Sequence, residues 1–123
     1  MNAGEVAELI ERYNNAWNAQ DLETIHALHH PDIVFDNHTA DERAEGADAV
    51  RDHIAKIFGN NPGMTFSTRS MHAGEDFAVC EWTLHVEKDG RALEWDGVDV
   101  FPIRNGLIAR KDVYSASHCP RAQ

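Results

Sequence analysis

The hydrophobic period of this chain changes once, near the Asn-Asn-Pro-Gly turn at residues 60–63, from helical spacing to strand alternation. Before the turn, Val6, Leu9, Ile10, Tyr13 and Trp17 recur at helical intervals and define one face of a first helix. Asp21 is placed to cap a short second helix carrying Leu22, Ile25 and Leu28, with Pro31 stopping it. Val50, Ile54, Ile57 and Phe58 mark a third helix ended by Gly59, and Ile33 to Asn37 reads as a short strand between the second and third. After the turn the signals are those of strands: Met64 to Met71, Phe77 to Glu87, Ala92 to Ile103 and Leu107 to Ser115. Lys88-Asp89-Gly90 and Asn105-Gly106 supply hairpin turns between the last three. This order describes a single α+β domain in which three N-terminal helices cover one face of a bent antiparallel sheet.

Composition narrows the partners. The 123 residues are enough for one domain and too few for a separate cofactor domain. A net charge of −10 argues against nucleic acid and anionic membranes, which call for clustered positive charge. Hydrophobic residues make up 42%, which supports a packed core rather than a disordered acidic segment. Cys80 and Cys119 lack metal-ligand spacing and read as free thiols in a reducing compartment. The acidic, amphipathic start has neither the basic n-region nor the apolar run of a signal peptide, so the chain reads as soluble and cytoplasmic.

Strand alternation puts Trp82, Leu84 and Val86 on one face, and Trp95, Gly97, Asp99 and Phe101 on one face of the next strand. Asp99 is the unusual member. A carboxyl among aromatic residues is expected to have a raised pKa, because desolvation disfavours its charged form, and such groups are candidates for chemistry.

Three stretches carry a family resemblance. RYNNAWNAQDLETIHALHHPDIVFDNH, from Arg12 to His38, resembles the opening of ketosteroid isomerases and SnoaL-like polyketide cyclases. The shared features are a Tyr on the first helix, an Asn-Ala-x-Asp-Leu link and an Asp before a short strand. DGRALEWDGVDVF is similar to the same family's hairpin and acid-bearing strand, and NGLIARKDVYSA to its last hairpin. The resemblance implies a cone-shaped fold of the nuclear transport factor 2 superfamily, with a curved sheet and helices enclosing a deep pocket, often in a homodimer.

Carried over residue by residue, the resemblance puts the oxyanion donors of the isomerases on Tyr13 and Asp99. In the isomerases an apolar cavity keeps that acid neutral, so that it can donate a hydrogen bond. The general base of the isomerases falls on Asn37, and an amide cannot abstract a carbon-bound proton. His53, on the third helix where the isomerases line their pocket, is the better substitute, and His38 serves only if a bulge turns it inward. Trp17, Phe35, Ile54, Phe58, Trp82, Trp95, Phe101 and Val113 are expected to line the pocket, with no cofactor and no metal. Two functions stay open: an isomerase, cyclase or dehydratase acting on a small apolar carbonyl compound, or a non-catalytic binding or dimerisation domain that has lost its base.

Other candidates weigh less. Epoxide hydrolases of this fold resemble it but use an Arg-x-Asp on the middle strand, where this chain has Cys80-Glu81-Trp82-Thr83-Leu84. His26, His29 and His30 include a pair with zinc-helix spacing, yet no accompanying carboxylate motif. Histidines at a helix C-terminus also complement the dipole. Val98 and Val100 alternate with Asp99 and need a cover on the outer sheet face, which a second subunit would provide.

Overall fold

A computed structural model describes residues 1–123. Helix α1 spans Ala3–Asn18, α2 Leu22–Leu28 and α3 Ala47–Asn60. The strands are β1 (His29–Asn37), β2 (Glu42–Glu45), β3 (Thr65–Ala73), β4 (Phe77–Lys88), β5 (Arg91–Arg104), β6 (Leu107–Ser115) and β7 (Arg121–Ala122). Local chemistry explains where the helices start. Asn2 Oδ1 accepts from the Glu5 N–H at 2.8 Å while Glu5 Oε1 accepts from the Asn2 N–H at 3.0 Å, a reciprocal cap on α1. Asp21 caps α2 as its sequence position predicts, accepting from the Thr24 N–H at 3.2 Å.

The sheet is open and curved, with strand order β2-β1-β6-β5-β4-β3 and β7 attached to β5. Both hairpin turns match their sequences: Asp89-Gly90 and Asn105-Gly106 carry positive φ at both central positions, the twist that a two-residue connection requires. The sheet departs from the expected antiparallel one in a single pairing. β1 runs parallel to β6, so the sheet is mixed. The meander β3 to β6 is antiparallel throughout, and its last strand returns beside β1 in the same direction. Strand β1 also begins earlier than its apolar run suggests. Pro31 falls where the β1–β6 register shifts, so its missing N–H interrupts no ladder bond.

Register shifts on β3 and β5 bend the sheet around the helices. Val6, Ile10, Tyr13, Ile25, Ile33, Val50, Ile54 and Phe101 are sealed between helices and sheet, none of them solvent-exposed. Gly97 on β5 faces Trp82 on β4, and a Cβ there would run into the indole ring. The glycine therefore lets Trp82 lie flat against the sheet. No helix is long and apolar enough to cross a membrane.

Candidate active site

The concave side of the sheet holds a cavity of about 310 Å³, and strand alternation decides what faces it. Trp17 of α1, Phe35 and Asn37 of β1, Trp82 of β4, Trp95 and Asp99 of β5 and Val113 of β6 all line it. Phe66 adds an edge-to-face contact to Trp82, with ring centroids 5.0 Å apart.

The inner end of this aromatic cavity is polar. Asp99 and Lys111 are buried on neighbouring strands, with Asp99 Oδ2 3.6 Å from Lys111 Nζ. The Lys111 ammonium position lies 3.9 Å from the Trp17 ring centroid, 4.9 Å from Tyr13 and 5.5 Å from Phe101. Asp99 Oδ1 has no hydrogen-bond partner, and the Trp82 indole N–H lies near the carboxyl without reaching bonding geometry. Burial pushes the Asp99 carboxyl above the usual carboxylate range, with the Lys111 charge opposing. The same burial pulls the Lys111 amine down, with Asp99 opposing. Both shifts move the pair toward its neutral form.

Lys111 is not among the residues expected here. The signal for it exists: Val113 is an inward position, and two positions back along a strand is Lys111, on the same face. Its long polar side chain, beside Arg110 and Asp112, reads as a solvated surface instead.

Tyr13 takes a different position from the one the resemblance implies. Its ring is fully buried, and its Oη shares a 2.8 Å hydrogen bond with His29 Nε2. Tyr13 thus packs behind Lys111 and does not border the cavity. Burial raises the Tyr13 hydroxyl pKa above its normal value, and burial lowers that of His29 to about 3, so both stay neutral. Ile54, Phe58 and Phe101 also pack behind the lining; Phe58 holds Trp17 edge-to-face at 5.2 Å.

At the mouth, the proton-moving candidates are arranged unexpectedly. His53 does not border the cavity; its Nε2 lies 3.2 Å from Glu42 Oε2, and its ring centroid is 5.1 Å from that of Phe35. Glu42 itself does border the cavity, and it is paired across β1–β2 with Asn37. A carboxylate therefore stands one strand away from the amide. Sequence reasoning misses it because Glu42–Glu45 is a charged stretch with no strand pattern of its own.

His38 stands on the opposite face. Its Nε2 meets Asp112 Oδ1 at 2.8 Å, and its ring stacks on Tyr114 with centroids 4.5 Å apart. Asp36, His38 and Asp112 have ligand atoms within 4.8 Å of one another, a spacing that suits a cation. Arg43 and Arg110 already pair with the two carboxylates, at 3.0 Å to Asp36 and 2.8 Å to Asp112. The cluster is an ion-pair network, in which Glu45 also engages Arg43, at 2.6 Å. The helix-two histidines are likewise dispersed, with His29 turned in to Tyr13 and His30 beside Arg104 and Asp32.

Solved structures share this architecture at low identity. A candidate ketosteroid isomerase from Kribbella flavida is 16% identical with a TM-score of 0.82, over 94% of this chain and 80% of its own. An epoxide hydrolase of the LEH-like type from M. tuberculosis is 19% identical with a TM-score of 0.82, over 94% of this chain and 86% of its own. TerC, co-crystallised with polyporic acid, is 20% identical with a TM-score of 0.79, over 89% of this chain and 90% of its own. Identities this low establish the fold and leave the chemistry to the site. Among curated proteins no sequence matches the chain. The family model described as a SnoaL-like domain matches residues 10–111, and with three helices on a curved mixed sheet, the chain belongs to the SnoaL-like family and has its ketosteroid isomerase-like, nuclear transport factor 2-like fold.

Proposed function

We propose that the cavity catalyses proton transfer on a small, apolar, carbonyl-bearing molecule without a cofactor, as an isomerase, cyclase or dehydratase does. One observation carries this reading. A buried acid with a free carboxyl oxygen, Asp99, stands beside Lys111 in a cavity whose apolar walls include Trp17, Phe35, Phe66, Trp82 and Trp95. The substrate carbonyl oxygen would sit against Asp99 and Lys111, where donors in a dry site stabilise a developing enolate far better than water does. Tyr13 and Phe101 support Lys111 from behind, and Trp17, Phe35, Trp82, Trp95 and Val113 hold the apolar body of the substrate.

Glu42 would take and return the proton at the mouth, oriented by His53. Asn37, its cross-strand neighbour, would hydrogen-bond the substrate without accepting the proton. A naphthol, which mimics the enolate, tests the floor. The double variant Asp99→Leu/Lys111→Met keeps that floor apolar and should weaken binding by about 1–3 kcal/mol. Unchanged binding sinks the reading. Glu42→Gln should bind the naphthol normally and lose turnover.

Asn37 favours a second reading, a binding domain without catalysis, because an amide stands where the resembling isomerases carry their base. Under it, Glu42→Gln changes nothing and Asn37→Asp introduces isomerase activity. Either way, the outer sheet face bears Val98 and Val100 with Phe77 and Tyr114, the last two 44% and 46% exposed, and a second copy of the chain would cover it. Light scattering at micromolar concentration should give a dimer mass; a monomer contradicts that assembly.

A further inference from the structure

Lys111 asks for more than charge balance. It is one of three lysines in the chain, with Lys56 and Lys88, and the only one of them that is buried. Its side chain borders the cavity that Asn37 and Glu42 also line, and its partner Asp99 keeps a second carboxyl oxygen free. A primary amine, a buried acid and a general base converging on one apolar cavity are the parts required for covalent carbonyl chemistry.

We propose that Lys111 is a nucleophile that condenses with the ketone or aldehyde carbon of the substrate to form an iminium ion, with Asp99 as the proton donor. The inference deepens the carbonyl reading above and rests on it. The Lys111 Nζ lone pair attacks the carbonyl carbon, a C–N bond forms, and one amine proton passes to the former carbonyl oxygen. The C–O bond then breaks and the oxygen leaves as water, carrying that proton and a second one from the Asp99 carboxyl. An iminium cation on Lys111 and a carboxylate on Asp99 remain, so the neutral pair becomes an ion pair and no outside reagent is consumed. The faces of Trp17, Tyr13 and Phe101 that surround Nζ suit the new cation. Glu42 then removes the proton from the adjacent carbon, giving an enamine in place of an enolate. Burial favours the uncharged amine in which the sequence begins.

The decisive experiment uses benzoylacetone, an aryl diketone whose adduct with an uncharged lysine is a stable, conjugated enaminone. Quenching of Trp17, Trp82 and Trp95 fluorescence reports entry into the cavity, and intact mass with peptide mapping reports the bond. The expected result is a mass gain of one benzoylacetone less one water on Lys111, with a new near-ultraviolet band. The mass gain and the band are lost in Lys111→Met and in the better-packed Asp99→Leu/Lys111→Met, which still show quenching at higher benzoylacetone concentration. Quenching without an adduct in the native chain overturns the covalent step and leaves the carbonyl reading standing. An adduct on Lys56, Lys88 or the N-terminus that persists in Lys111→Met overturns it equally. Neither quenching nor adduct overturns both readings together.

Discussion

Strand β6 presents alternate residues to two different solvents, and the two faces treat the same residue types in opposite ways. On the outer face, Asp112 is met by Arg110 at 2.8 Å and by His38 at 2.8 Å, with Asp36 and Arg43 alongside. Partial burial works against the Asp112 carboxylate, but hydrogen bonds from Arg110 and His38 outweigh it and hold its pKa below the ordinary value. One residue away, Lys111 points inward to Asp99, and there burial outweighs pairing, so the acid is pushed up and the amine down. The number of donors and the access of water decide between the two. A carboxylate with several donors at a wet face stays a charge, whereas burial beside a single cation inside an aromatic shell pushes the carboxyl toward its protonated form.

Breaking each pair should expose that difference. Asp99→Leu leaves the buried Lys111 amine without its partner and is expected to cost about 1–3 kcal/mol by urea unfolding, most of it recovered when Lys111→Met is added. Arg110→Ala on the outer face should cost about 0–1 kcal/mol. Equal losses would mean that the two faces are energetically alike.

Acid sharpens the contrast further. The folded pKa of His29 is depressed from 6.5 to about 3, so below pH 6.5 the unfolded chain takes up a proton that the folded chain refuses. Stability contributed by keeping His29 neutral is therefore whole above pH 6.5 and falls by about 1.4 kcal/mol per unit down to about pH 3. Unfolding midpoints between pH 7 and 4 should show this slope, and His29→Gln should flatten it.

Steric crowding distinguishes the faces as well. Gly97→Ala drives a methyl group into Trp82 and is expected to cost about 1–3 kcal/mol and to narrow the cavity, read by calorimetry and by ligand binding. Val98→Thr, its outward neighbour, should stay within about 0.5 kcal/mol if the chain is measured as a monomer. The smallest effect is that of salt. High ionic strength should shrink the already small cost of Arg110→Ala and leave that of Asp99→Leu unaltered.

Features decided within a few residues were legible in the sequence. The period of α1, the Asp21 cap and the Asp89-Gly90 and Asn105-Gly106 turns are of this kind, and alternation alone turns Asp99 inward. Features set by distant segments were not legible. The parallel β1–β6 pairing joins residues far apart in the chain, such as Asp36 and Asp112, and leaves no local mark. Strand β2 is recruited by β1 despite its charged composition, and it brings Glu42 between His53 and the cavity. Tyr13 lies on the helix face that its period predicts, but its hydroxyl is claimed by His29, which reads as a helix terminus and is the first residue of β1. Lys111 is hidden by its own chemistry, since a lysine flanked by Arg110 and Asp112 resembles surface until Val113 fixes the face.

Burial outweighs pairing in pushing the Asp99 carboxyl up, and the proposed chemistry depends on it. Carbon-NMR titration of the aspartate carboxyls in the intact protein tests this most directly, with Asp99 and Asp112 assigned by their Asn variants. Asp112 is expected to titrate below the ordinary aspartate value and Asp99 above it. An Asp99 carboxyl that titrates at or below the value of Asp112 would show a permanent ion pair with Lys111, and would remove both the proton donor and the uncharged amine from the site.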